Sequence, residues 1–372
     1  VVGRIGHEAA ILPPSDNAAM NPAKNSVMRW DVFCRVIDNF GDVGVCWRLC
    51  ADLGARGHIV RLWIDDARAL TWMAPDGAAN VQVLGWACAE NQPFVAGDVV
   101  IEAFGCELPT PVVQAMADGA LPPIWINLEY LSAERYVERS HRLQSPQSSG
   151  PGQGLVKWFY YPGFTAATGG LLRETGLAAA QACFDGDAWL LSHGLTRRAG
   201  EQVLSLFCYD NPRLDAMLRS FAEAPVLLLL TADAPLPRDL PTTVRTHRLP
   251  RLTQIEFDHL LWASDFNFVR GEDSFVRAQW AGKPFVWQIY PQDDGVHAVK
   301  LQAFLDRHLT HAHAEVATEI RAWTLGWNGL GPLPARPAQL PLWAAHARAW
   351  GESLAAAPDL VTGLRQFVSD SR

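Results

Sequence analysis

Trp30-Asp-Val-Phe-Cys-Arg35-Val-Ile-Asp38-Asn39-Phe40-Gly41-Asp42-Val-Gly44 begins as an apolar, β-rich run and ends in a carboxylate-bearing turn before a helix-length segment. Far along the chain, Phe268-Val-Arg270-Gly271-Glu272-Asp273-Ser274 repeats the arrangement. Each stretch sets carboxylates where a strand ends and a helix begins. Open α/β sheets present polar groups and helix N-termini to ligands at that edge. One such junction in each half predicts a ligand held between two α/β domains.

Working outward from the first stretch, strands are predicted at Trp30–Ile37, His58–Ile64, Val99–Phe104 and Ile124–Leu128, with a helix over Val43–Arg56 ended by Gly57. Short β-rich runs separated by helix-length spacers predict a parallel, doubly wound sheet. From the second stretch, strands are predicted at Trp189–Leu191, Leu204–Phe207, Val226–Thr231, Thr243–Leu249, Phe266–Val269 and Phe285–Ile289, with a helix from Ser274 stopped by Gly282. The Gln-Ser-Pro-Gln-Ser-Ser-Gly-Pro-Gly-Gln segment between Leu143 and Gly154 reads as a mobile surface loop, more readily a linker than a loop near the cleft. Gly282-Lys-Pro and the Gln292-Asp-Asp294-Gly turn are expected to line the same crevice as Glu272. Two facing domains of this kind indicate an α/β fold of the GT-B type, two Rossmann-like domains with an interdomain cleft. The boundaries are read as 28–180 and 181–354, with a C-terminal helix in 355–372 returning to the first domain. Residues 1–27, with Pro13-Pro14 and no strong periodicity, read as a disordered extension ahead of Met28, the expected natural start.

A chain of 372 residues that is 49% apolar has material for two cores. The longest apolar run, Val226–Leu230, is far too short to cross a bilayer. A net charge of -8 argues against broad binding to nucleic acid or anionic membrane, so phosphate recognition must rest on a few placed groups. Seven cysteines without a Cys-x-x-Cys pair read as reduced thiols of a cytoplasmic protein, Cys46 and Cys50 sharing one helical face. No metal site is expected, and His311-Ala-His313 reads as surface. Walker, His-Glu-x-x-His and Gly-x-Ser-x-Gly motifs are absent from the sequence.

Asp42 falls at the start of a helix, where Asp is a common N-cap, and Gly41 permits a tight turn. A cap has no need of Asp38 four residues earlier, whereas two carboxylates at one strand end can orient a nucleophile, take its proton or bind a metal. In the second stretch the amides after Glu272 and the Ser274 hydroxyl form a helix N-terminus suited to phosphate, with Arg270 adding charge for a leaving diphosphate. Capping by Asp273 or Ser274 and a solvated Glu272 is the simpler alternative. Phe207-Cys-Tyr209 directs two rings to one side, for a nucleobase or for an interdomain seam.

Arg35–Leu49 resembles the N-terminal signature of the EarP-type arginine rhamnosyltransferases, and Phe268–Trp280 resembles their C-terminal one. The likeness continues through Gly282–Gln292 and covers the chain from Met28 onward. It implies an inverting, metal-independent GT-B enzyme without cofactor. That enzyme transfers rhamnose from dTDP-β-L-rhamnose to an arginine of bacterial elongation factor P, which relieves stalling at polyproline. The first domain then receives the acceptor and the second the donor. By motif position Asp42 is the catalytic carboxylate, with Asp38 and Glu272 as essential acids. Substrate contacts fall on Asn39, Phe40, Gly41, Phe207, Tyr209, Gln254, Arg270, Gly271, Asp273 and Ser274. The alternatives are a nucleotide-sugar transferase with another acceptor, a metal-dependent phosphohydrolase, and a non-catalytic protein that binds elongation factor P.

Overall fold

The structure, a computed structural model, describes residues 26–37, 40–235, 239–291 and 295–372. The predicted extension before Met28 lies almost wholly outside the described residues, as do Asp38, Asn39 and Gln292–Asp294. Two sheets form the scaffold. The first has seven strands in the order β3-β2-β1-β4-β5-β7-β6: β1 Arg29–Cys34, β2 Ile59–Ile64, β3 Val81–Gly85, β4 Val99–Ala103, β5 Ile124–Leu128, β6 Gln144–Pro146 and β7 Val156–Tyr160. The second has five in the order β10-β9-β8-β11-β12: β8 Gln202–Leu206, β9 Val226–Leu230, β10 Val244–Arg248, β11 Phe266–Arg270 and β12 Phe285–Gln288. All pairings are parallel except β6 with β7. Parallel strands covered on both faces explain the unbroken apolar runs: β4 and β9 are buried at every residue.

Three sequence expectations are corrected. Trp189–Leu191 is not a strand but part of the helix Gly186–Ser192, whose start is capped by the Asp185 carboxylate accepting the Asp187 and Ala188 amides. Three apolar residues cannot separate the two periodicities, and the Asp-Gly-Asp before them was the informative signal. The Ser/Pro/Gly segment after Leu143 is a surface turn within the first sheet rather than a linker. It closes the β6–β7 hairpin at the edge of the first sheet, with Gln147 donating to Leu155 and Gly154 to Gln147 along the backbone. Lys283 and Pro284 line a separate cavity with Pro341 and Arg348, because they precede β12 and so lie at the opposite edge of the sheet from Glu272.

The last helix, Leu360–Asp370, buries Leu360, Val361, Leu364, Phe367 and Val368 in the core of the first sheet. It is tethered there by Arg56, which donates to Asp359 (2.7 Å) and Thr362 (2.7 Å). No helix among the described residues is long and apolar enough to cross a membrane.

The front lobe, built on the first sheet, and the rear lobe, built on the second, meet through a buried charge cluster. Arg48, in the helix Gly41–Ala55 that follows β1, has a side chain only 5% exposed. It reaches Glu174 (3.1 Å), both carboxylate oxygens of Asp258 (3.3 Å each) and Asp273 (2.9 Å), and donates to the Gln254 carbonyl (3.2 Å). Arg277 of the helix Asp273–Ala281 clamps Asp258 from the other side (2.8 and 2.7 Å) and reaches Glu174 at 2.6 Å. Burial opposes charge on Glu174, but the Arg277 and Arg48 guanidiniums outweigh it and hold its carboxyl down to about 2. Deleting one partner of such a cluster strands the others in a dry site.

Replacing Arg48 by Met is therefore expected to cost about 3–5 kcal/mol in urea unfolding. Because the Glu174 carboxyl lies below its ordinary 4.5 in the folded protein, its contribution is complete above pH 4.5 and drains away as pH falls toward about 2. Glu174→Gln should flatten that acid limb in unfolding titrations; an unchanged limb would show that Glu174 is not held by the cluster.

Candidate active site between the two lobes

The helices Gly41–Ala55 and Asp273–Ala281 each leave the carboxyl end of a central strand, β1 and β11, and their N-termini face one another. Gly44 makes the approach possible: a Cβ there would stand 2.9 Å from Asp273 Oδ2. Gln254, whose helix is capped by Thr253 accepting the Glu256 amide, donates across the seam to the Gly44 carbonyl (3.0 Å) and to Asp273 (3.4 Å). Gly41 does not adopt the unusual backbone angles expected of it; it is the first residue of a regular helix. The glycine that does is Gly271, at φ 64°, in the tight turn between β11 and its helix.

An open cleft of about 780 Å³ lies between the lobes. Its lining includes Phe40, Gly41, Phe207, Tyr209, Gln254, Arg270, Gly271, Asp273 and Ser274, nine of the residues singled out in the sequence. Apolar walls with a few placed polar groups are those of a small-molecule site. Phe207 and Tyr209 share a side, as alternation predicted, and grip the Arg270 guanidinium at 4.4 and 4.6 Å from their ring centres. One guanidinium nitrogen donates to the Cys208 carbonyl (3.0 Å). Stacking fixes the plane of a group that stays charged at any working pH, so its charge is aimed before a ligand arrives. Ser274 accepts the Arg270 amide (3.1 Å) and returns a hydrogen bond to the Arg270 carbonyl, which ties the turn together.

Asp42 and Glu272 lie beside this cleft, whereas Asp273 is part of its lining. Asp42 is 1% exposed and sits one residue inside its helix, so it is not the N-cap; Phe40 holds that position without a side-chain cap. One Asp42 oxygen accepts the Ile37 amide (2.8 Å) and the other the Tyr130 hydroxyl (3.1 Å). Glu272 is half-buried and holds the N-cap position of its helix without a side-chain capping bond; its carboxylate instead accepts the Leu131 amide of the opposite lobe at 3.0 Å. Burial raises its carboxyl to about 7, with the nearby negative charges of Asp42 and Asp273 adding to the rise and Lys300 and the Leu131 amide opposing it. Burial raises the Asp273 carboxyl also, against the pull of Arg48. The residues missed in the sequence are Arg48, Trp72, Tyr130, Arg251 and Phe257. Arg48 had a signal, a lone cation among Cys46, Trp47, Leu49 and Cys50. Trp72 had none; it meets Phe40 edge-on (5.2 Å) and Arg251 of the other lobe (5.6 Å) only in three dimensions.

Known proteins of this shape carry the matter further. A family model described as elongation factor P (EF-P) rhamnosyltransferase EarP matches residues 30–369. A protein-arginine rhamnosyltransferase of Pseudomonas aeruginosa is 41% identical over 383 aligned residues, covering 92% of this chain and 99% of that one. The protein-arginine rhamnosyltransferase of Pseudomonas putida is 42% identical over 377, with the same coverage. A solved structure concerned with EarP-mediated arginine glycosylation of translation elongation factor EF-P superposes with a TM-score of 0.64 and 31% identity, over 93% of this chain and 100% of that one. A spinosyn forosaminyltransferase, 14% identical with a TM-score of 0.51 over 92% of this chain and 100% of its own, shares the fold alone. The architecture is that of GT-B glycosyltransferases, as the alternation of strands and helices predicted. With the family matched across both signatures and the whole two-lobed scaffold, the chain belongs to the EarP family of elongation factor P rhamnosyltransferases.

Proposed function

We propose that the protein is an inverting, metal-independent glycosyltransferase that moves L-rhamnose from dTDP-β-L-rhamnose to an arginine side chain of elongation factor P in the cytoplasm. The observation that carries this reading is the meeting of Asp42 and Glu272, one acid from each lobe, beside a cleft with an aromatic wall and a stacked arginine. The family supplies donor and acceptor; the geometry supplies a division of labour between the lobes.

In this reading the rear lobe holds the nucleotide. Phe207, Tyr209 and Phe257 offer faces to the nucleoside, with Gln254 and Asp273 available to its polar groups. Arg270, Ser274 and the N-terminus of the helix Asp273–Ala281 receive the diphosphate. The front lobe brings Asp42, with Asp38 beside it in sequence, to the acceptor guanidinium. A protonated guanidinium is a poor nucleophile. Asp42 accepts one N–H and takes its proton as the nitrogen lone pair forms the bond to the sugar's anomeric carbon. The carbon–oxygen bond to diphosphate breaks on the opposite face, the electron pair leaving on the phosphate oxygen under the charge of Arg270. A single displacement of this kind inverts the anomeric centre. Glu272, charged above about pH 7, adds a second anion for the cationic acceptor.

Incubation with dTDP-rhamnose and elongation factor P in the presence of EDTA is expected to add one deoxyhexose to one arginine, read by mass spectrometry. Asp42→Asn should abolish the increment while retaining dTDP binding; loss with EDTA that magnesium restores would overturn the metal-free mechanism. The Glu272 carboxyl is raised, so it is neutral below about pH 7 and charged above it. Accordingly kcat/KM for the acceptor should climb through pH 7, and Glu272→Gln should lower it and remove that limb.

A further inference from the structure

Tyr130 and Leu131 follow β5 and run between the two lobes. The Tyr130 hydroxyl donates to Asp42 Oδ1 (3.1 Å), and the very next amide, Leu131, donates to Glu272 Oε2 (3.0 Å). Two consecutive residues thus hold the two acids of the proposed reaction. The strap is itself braced. Phe104 stacks on the Tyr130 ring at 4.3 Å and 10° between planes, and Lys300 of the rear lobe stands 5.7 Å from the centre of that ring. Phe104 takes a left-handed backbone, φ 58°, with its amide on the Leu128 carbonyl (2.7 Å). Such a conformation is unfavourable in a bulky residue and persists where the surroundings impose it. Leu131, 3% exposed, anchors the other end in the apolar core of the rear lobe.

We propose that Tyr130 is a positioning residue for the transfer, and that the Tyr130–Leu131 strap presents Asp42 and Glu272 to one acceptor guanidinium as a pair. The inference rests on the reading of Asp42 given above. An aspartate can turn about its last carbon–carbon bond. Here each oxygen is held by a donor from a different segment, Ile37 N–H on Oδ2 and Tyr130 O–H on Oδ1, which sets the plane of the carboxylate. A phenol hydroxyl donates this bond without competing for the proton Asp42 must accept. A guanidinium is planar and forked, so its alignment depends on the direction of the oxygens it meets. The strap also couples the acids: a displacement of Tyr130 that reorients Asp42 moves the Leu131 amide that holds Glu272.

The test compares Tyr130→Phe, which keeps the ring and its stack, with Tyr130→Leu and Asp42→Asn, using dTDP-rhamnose and elongation factor P. Tyr130→Phe is expected to keep the melting temperature, dTDP affinity and donor KM while kcat falls roughly 10–100-fold. Tyr130→Leu should lose melting temperature as well. In the Tyr130→Phe/Glu272→Gln double variant the loss should fall short of the product of the two single losses, as for groups acting as a unit. Wild-type kcat in Tyr130→Phe alongside an inactive Asp42→Asn would overturn the proposal and leave the proposed reaction intact. A matched fall in kcat, dTDP affinity and melting temperature in Tyr130→Phe would likewise overturn it, since the hydroxyl would then serve the fold. Fully additive losses would remove the pairing of the acids. An active Asp42→Asn would instead remove the catalytic reading itself, and the proposal with it.

Discussion

A guanidinium on the helix after β1 is buried against carboxylates of the other lobe, and the placement of everything in the cleft follows from that constraint. Arg48 cannot be dehydrated alone, and Asp258, Asp273 and Glu174 cannot share a dry site without cations. Arg48 and Arg277 against three acids satisfy both conditions only when the lobes lie in one register. Buried ion pairs add little net stability over well-packed apolar groups, and the best-attested use of such a cluster is to specify an arrangement. Here the arrangement is the facing of two helix N-termini.

That facing explains why residues with no sequence proximity act together. Asp273 is held by Arg48 on one oxygen and approached by Gln254 and Gly44 on the other, so the rear lobe's acidic turn is built partly from the front lobe. The segment after β5 then returns across the seam and supplies a donor to an acid on each side. Burial next to Asp42 and Asp273 is what raises Glu272 toward neutrality. Its titration is a product of the interface, since the same glutamate in a solvated loop would ionise near its ordinary value. Arg270 shows the converse. Its charge needs no tuning, so the fold fixes only its direction, between Phe207 and Tyr209.

Much of the scaffold was legible because buried parallel strands are short apolar runs: β1, β2, β4, β5 and β8 to β12 all stand within a few residues of the runs predicted for them. β3 was not seen, since Val81–Gly85 is half exposed and weakly patterned at the sheet edge, nor was the β6–β7 hairpin, whose turn chemistry resembles that of a linker. Among the candidate residues, Phe207 with Tyr209 could be assigned to one side by alternation alone. What the rings would meet could not: strand period states a direction but not a partner, and the partner proved to be Arg270. Asp42 and Glu272 were picked out as chemistry, yet that Asp42 is no cap and that Glu272 is held by the Leu131 amide showed only once their hydrogen-bond partners were visible.

The amino-acid sequence by itself determined the fold class, the two junctions where carboxylates meet helix starts, and the family, because each is written in local pattern or contiguous motif. The tertiary structure alone decided that Arg48 locks the lobes, that Trp72 and Arg251 meet, and that Tyr130 and Leu131 tie the two acids together. Those contacts join segments separated by scores to hundreds of residues. Their energies come from burial and from charges facing one another across a seam, and neither quantity exists until the chain has folded.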